Sequence, residues 1–243
     1  GAKKGDDGKY EINGQKMWVT NGLGSSLVFL LVKTDNDVQP AYKGMTCFIT
    51  EKEPWVSENT GEYAGLVVPP KIKKMGYKGV ESTELVYDGY KCPAENILGG
   101  EEAGLNKGFG QMMDALEVGR VNVAARGVGI AQRALELALR YSQERKTFGK
   151  PIAQHQAIQL KLAHMATKLE AARLVTRKAA RMKDAGIRSD LEAGMAKLIA
   201  SETGKEVVED CFRIHGGYGY SKEYEIERLY RDAPLLLIGE GTS

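Results

Sequence analysis

The sequence is short of cysteine: only Cys47, Cys92 and Cys211 occur, widely separated, with no CxxC and no matching histidine spacing. That excludes a disulfide framework and a zinc ribbon, and leaves three buried reduced thiols as the expectation; no metal site is expected. Charge of one sign is equally lacking. Thirty-four Lys and Arg stand against 32 Asp and Glu, a net charge of +2, so no broad nucleic-acid or membrane surface is expected and any anionic ligand must be met by local basic residues. No apolar run approaches the roughly 18 residues of a membrane span, and no signal-peptide pattern opens the chain. Internal repeats and low-complexity tracts are absent too. With 42% hydrophobic residues over 243 positions, the chain can bury a real core in one large or two medium domains.

From Tyr10 to about Gly100 the punctuation is dense and the apolar segments short, the rhythm of β structure. GAKKGDDGKYEING reads as a hairpin, and Asn13-Gly14, between the arms of YEINGQKMWV, carries the strongest short hairpin signal. Residues 26–32, 45–50, 66–68 and 83–87 supply further strands, so a barrel or sandwich is expected. Beyond Gly104 proline nearly vanishes and apolar residues recur at helical spacing. A helix from near Lys107 to near Arg145 should bury Met112, Leu116, Val123, Ile130, Ala134 and Leu137. Further helices are expected from 154 to 184 and from a Ser189–Glu192 capping box to about Ile214. Ser221 should cap a short last helix that ends near Asp232, stopped by Pro234. The expected class is therefore α+β, with a β domain over 1–104 and an antiparallel bundle of four helices over 105–243.

Several constellations carry chemistry. Trp18 and Thr20, two apart on a strand, would share a face suited to a planar heterocycle, although a core tryptophan is the plainer reading. Arg145, Lys146, Thr147 and Lys150 cluster at a helix end, where they suit phosphate or merely the helix dipole. IHGGYGY is glycine-rich like a phosphate loop but lacks that loop's lysine and preceding strand. Glu117 and Arg120 could form an ion pair on a solvated face or line a pocket. Leu235 to Ile238 call for burial. If they carry Glu240 out of water between Gly239 and Gly241, its carboxylate becomes a stronger proton acceptor.

The order INGQKMWVTNG, CPAENILG, ERKTFGKPIAQHQAIQ, IHGGYGY, YRDA and EGTS closely resembles the acyl-CoA dehydrogenases across essentially all 243 residues. The resemblance implies an FAD enzyme that oxidises acyl-CoA thioesters to trans-2-enoyl-CoA and passes electrons to an electron-transfer flavoprotein. It further implies a homo-oligomer built as a dimer of dimers. Glu240 matches the catalytic base. Trp18, Val19 and Thr20 match a motif along the flavin ring, and Arg145 and Thr147 match residues that reach a neighbouring subunit's FAD, with His155 and Gln156, also cofactor-binding by the resemblance, in the adjoining segment. Gly216 and Gly217 match the adenosine-side loop, Gly241 and Thr242 flank the base, and Glu117 and Arg120 match substrate contacts.

Two departures from the family pattern are informative. Arg213 stands where many members have Gln, so no flavin contact is carried onto it. Gly119 stands where the isovaleryl-CoA type takes its base, which favours Glu240. The resemblance also implies that a whole enzyme adds an N-terminal helical domain, an earlier β segment and a final helix, so this chain alone is expected to be weakly active or inactive. It places the enzyme in the cytoplasm of a bacterium or the mitochondrial matrix of a eukaryote. Alternatives are an oxygen-using acyl-CoA oxidase and a non-catalytic helical interaction module.

Overall fold

The computed structural model describes residues 1–242, which form two compact units, 1–74 with 78–114 and 75–77 with 115 onward. No helix among the described residues is long and apolar enough to cross a membrane.

The first unit holds strands β1 (Ala2–Lys4), β2 (Tyr10–Thr20), β3 (Leu27–Lys33), β4 (Met45–Glu51), β5 (Leu66–Val67) and β6 (Ser82–Cys92). A four-stranded antiparallel sheet runs β1-β2-β6-β5 and a two-stranded sheet pairs β3 with β4, so the described strands close no barrel. Inward residues of both sheets, among them Ile12, Leu85, Val28, Leu30 and Phe48, share one core. Tyr87 and Tyr90 cross that core so that their hydroxyls meet Thr50 Oγ1 at 2.9 Å and the Glu51 carbonyl at 2.9 Å. The polar tip of each ring is thereby satisfied inside.

Asn13-Gly14 is not a turn. β2 runs straight through it, and the hairpin signal is overridden by a bulge in β6, whose inward residues change parity between Leu85/Tyr87 and Tyr90/Cys92. Gly89, at φ +68°, makes the bulge, and Asn13 Oδ1 accepts its N–H at 2.7 Å, filling the gap left in the ladder. Asparagine therefore serves its side-chain oxygen here rather than a left-handed backbone. A second irregularity, in β2 between Lys16 and Val19, places Trp18 in the left-handed region at φ +61°.

After the short α1 (Gly100–Gly104) comes α2 (Gly108–Glu144), whose first turns belong to the β unit. A Cβ on Gly108 would stand 2.4 Å from the backbone nitrogen of Cys47, so helix and strand meet backbone to backbone there.

The rest of α2 packs in the helical unit with α3 (Gln156–Asp184), α4 (Asp190–His215) and α5 (Glu225–Ile238). Of the six core positions expected on α2, Val123 and Ala134 are fully buried. The seam instead runs through Ala124, Gly127, Ala131, Ala134 and Ala138. Small residues win because α4 comes so close: a Cβ on Gly127 would lie 2.5 Å from the Ala200 carbonyl oxygen, and one on Gly204 would lie 3.2 Å from the Gly127 carbonyl oxygen.

Two helix signals gave way to packing. Pro234 lies inside α5 and does not stop it, because Ile226, Leu229, Ala233 and Leu236 bury one continuous stripe that holds the helix to Ile238. The proline removes the N–H that would serve the Tyr230 carbonyl and crowds that carbonyl with its ring, a local cost that the buried stripe outweighs. Ser189 precedes α4 without a side-chain capping bond, since its hydroxyl is drawn to Glu117 instead. Ser221 caps nothing either: its Oγ accepts the Glu223 N–H at 3.3 Å in a local turn, and α5 begins only at Glu225. All three cysteines are free and buried, with burial pushing the Cys92 and Cys211 thiols up to about 12 and Cys47 to about 11.

Candidate active site

In the helical unit the chain leaves α5 through Gly239 and enters the left-handed region at Glu240, φ +54°, and at Gly241, φ +103°. Holding a glutamate at positive φ costs about 1–2 kcal/mol, so the surroundings must enforce it. Gly239 is ordinary at φ −67°. The turn lays the Glu240 carboxylate over Gly119 of α2, where a Cβ would stand 2.8 Å from Oε2. Glu240 is exposed, together with Leu235 and Ile238. The expected route to desolvation through buried aliphatics is therefore not what this chain shows, since Leu236 is the buried member.

Arg120 follows Gly119, and its Nε reaches the Glu240 carbonyl at 3.5 Å. Glu117, one turn earlier, faces elsewhere. Only 9% exposed, it accepts the Ser189 hydroxyl and the Lys183 ammonium at 3.2 Å, which together hold its carboxyl below the usual glutamate range, the Ser189 bond weighing most. The expected Glu117–Arg120 surface pair does not form. Glu117 instead latches α2 to the α3–α4 connection.

At the far end of α2, RKTFGK folds into a hairpin of β7 (Lys146–Thr147) and β8 (Lys150–Pro151). Phe148 and Gly149, at φ +52° and +81°, make its tip a type I′ turn, and Phe148 is 97% exposed there. His155 Nε2 lies 3.1 Å from Thr147 Oγ1, so His155 supports the hairpin from the start of α3, beside the exposed Gln156.

The hairpin forms one wall of a groove of about 420 Å³ lined by Tyr141, Arg145, Thr147, Ile152, Ile214 and the stretch His215 to Tyr218. Arg145 and Thr147 are thus brought together with Gly216 and Gly217. A Cβ on either glycine would meet nothing within 4 Å, so the backbone at that wall lies open to a ligand. The donor set, a guanidinium, a hydroxyl and bare backbone beside aromatic rings, fits a dinucleotide's phosphates and flat bases. His215, part of IHGGYGY but assigned no role from the motif, also lines the groove. It is buried and stacked on Tyr141 at 4.2 Å, its Nδ1 bonded to the Cys211 carbonyl at 2.8 Å, and burial holds its pKa below the usual histidine value.

In the β unit, Trp18 is 65% exposed and Thr20 exposed, with Val19 half-buried between them. Trp18 is therefore not core. Because the strand is irregular at this point, simple alternation no longer sets which way Trp18 and Thr20 point. Gly241 offers its carbonyl to Lys197, and Thr242 is exposed. No group of three or more potential metal ligands occurs among the described residues.

The β unit presents an exposed tryptophan at a bulge, and the helical unit carries a groove with a guanidinium and, separately, a carboxylate over a glycine: the chain is of the α+β class. Comparison with known proteins then gives the family. Residues 1–90 match the acyl-CoA dehydrogenase middle domain and residues 106–243 match the acyl-CoA dehydrogenase C-terminal domain. The chain is 43% identical over 96% of its length to 3-(aryl)acrylate reductase of Clostridium sporogenes, covering 58% of that protein. Butyryl-CoA dehydrogenase from Megasphaera elsdenii superposes with a TM-score of 0.91 at 39% identity, over 99% of this chain and 59% of that one. An acyl-CoA dehydrogenase from Bacillus anthracis, complexed with FAD, superposes with a TM-score of 0.87 at 31% identity, over 99% of this chain and 42% of that one. The chain belongs to the acyl-CoA dehydrogenase family, and it spans little more than half the length of the first two of these relatives.

Proposed function

We propose that the protein carrying this chain is an FAD-dependent acyl-CoA dehydrogenase in which Glu240 removes the α-proton of the thioester. The observation that carries this reading is the presentation of Glu240, a carboxylate held at positive φ above a glycine that leaves it room. Bound FAD supplies an acceptor for the hydride lost from the β-carbon. Loss of that hydride and of the proton taken by Glu240 leaves a trans-2-enoyl thioester, so charge and atoms balance. Around the base, the Glu240 backbone amide serves as a donor to the thioester carbonyl, where negative charge develops as the proton leaves. Arg120 steadies the same residue from its carbonyl side.

For the cofactor, Arg145, Thr147, Gly216 and Gly217 form the phosphate and adenosine groove, with His155 and Gln156 behind it. Trp18, Val19 and Thr20 offer a flat platform and a hydroxyl for the ring system, and Gly241 and Thr242 border the base. An electron-transfer flavoprotein is the proposed acceptor and a dimer of dimers the proposed assembly, by likeness to the family. One relative's description as a reductase makes reaction direction and acyl group open to experiment.

The test is anaerobic mixing of the purified, yellow holoprotein with straight, branched and aryl acyl-CoAs while flavin absorbance is followed. Bleaching by at least one, with enoyl-CoA formed, supports the reading. A colourless protein that FAD does not reconstitute overturns it in favour of an interaction module, and rapid peroxide formation in air without added acceptor overturns it in favour of an oxidase.

A further inference from the structure

The helical unit buries a charge that the chemistry above does not use. Lys197 of α4 is 4% exposed, among the alanines of the bundle core. Burying an ammonium is costly unless its donors are met. Its Nζ donates to the carbonyl of Leu237, at 2.9 Å, and to the carbonyl of Gly241. The first acceptor lies in the last turn of α5. The second lies beyond Glu240. A single ammonium thus ties the backbone on both sides of the proposed base, while Arg120 reaches the Glu240 carbonyl between them.

We infer that Lys197 is a positioning residue whose ammonium fixes the left-handed turn at Glu240 and so holds the carboxylate over Gly119. The inference rests on the reading of Glu240 as base, but its structural half can be tested without that reading. An ordinary C-terminal cap would need only the last carbonyls of the helix. Lys197 also grips Gly241, whose position defines the turn and not the helix. Burial pushes the Lys197 pKa down from the usual lysine value, with Glu202 raising it and Arg120 lowering it further. Lysine suits the task because its donors fan from one point toward two carbonyls that face the same spot.

The experiment compares wild type, Lys197→Met and Lys197→Arg in the holoprotein, by hydrogen exchange of amides 239–242 and by the rate of flavin reduction. The methionine variant keeps the stem and removes the ammonium. It is expected to speed exchange in that segment about tenfold while α2 and α3 exchange as in wild type. It should slow flavin reduction about tenfold to a hundredfold, with acyl-CoA affinity within about twofold. The arginine variant keeps the charge and donors without the single-point fan, so it should recover part of the protection and rate relative to Lys197→Met, which keeps the test decisive if the methionine variant folds poorly. Unchanged exchange and rate in Lys197→Met overturn the inference, as does faster exchange throughout the bundle with rate and affinity lost together. If Lys197→Met loosens 239–242 while Glu240→Gln reduces flavin normally, the tether stands and the assignment of the base falls.

Discussion

The carboxylate of Glu240 occupies the space that a side chain on Gly119 would need: a Cβ there would stand 2.8 Å from Oε2 and 2.9 Å from the carboxyl carbon. The two positions, one on α2 and one after α5, are therefore alternatives for the same volume, and a glycine at the first is the condition for a carboxylate from the second.

Gly119→Ala tests that exclusion. Within a helix the change favours folding by about 0.8–1 kcal/mol, and the obstructed group is the movable end of a side chain, so the melting temperature should not fall. The carboxylate, however, must shift, and flavin reduction should slow about tenfold or more because geometry near the reacting proton is lost. A variant both stable and fully active would show that Glu240 does not work from this place.

Glu117 gives a pH prediction. Its folded-state pKa lies below the ordinary 4.5, chiefly through the Ser189 hydroxyl and then Lys183. The stabilisation is present in full above the unfolded value and is lost as pH falls through the folded one, a window below about 4.5. Glu117→Gln should lower stability at pH 7 by about 1–3 kcal/mol, since the amide keeps one acceptor oxygen for two donors, the Ser189 hydroxyl and the Lys183 ammonium, and loses the negative charge. The same variant should lose less on acidification than wild type. Urea midpoints at pH 7 and pH 4 measure both effects, and parallel acid losses would contradict the latch.

The α2–α4 seam is tested by Gly127→Ala. The added methyl would meet the Ala200 carbonyl oxygen at 2.5 Å, and two helix backbones must part to admit it. A loss of about 1–3 kcal/mol is expected, against the usual helix preference for alanine. Gly129→Ala, where a Cβ meets nothing within 4 Å, is the matched control and should be neutral or stabilising. Equal effects at the two sites would refute the close crossing.

Much of this was legible in the sequence, and the failures share a cause. Helix periodicity placed α2, α3 and α4 within a few residues because long apolar patterns average out local noise. Single-residue signals failed wherever a tertiary partner made a better offer. Asn13 completes a bulge at Gly89, the Ser189 hydroxyl goes to Glu117, and Pro234 rides on a buried stripe. The groove residues Arg145, Thr147, Gly216 and Gly217 were singled out by type and order, but their convergence is set by a hairpin and a helix end far apart in sequence. Lys197 was invisible, because a lysine in a helical pattern reads as solvated until its carbonyl partners are seen.

The most direct measurement is flavin bleaching by Glu240→Gln. The glutamine keeps nearly the same volume over Gly119 but cannot accept the α-proton. The holoprotein should bind FAD and acyl-CoA as wild type does, while anaerobic bleaching slows by about a hundredfold to ten-thousandfold. Bleaching at the wild-type rate would contradict the account at its centre.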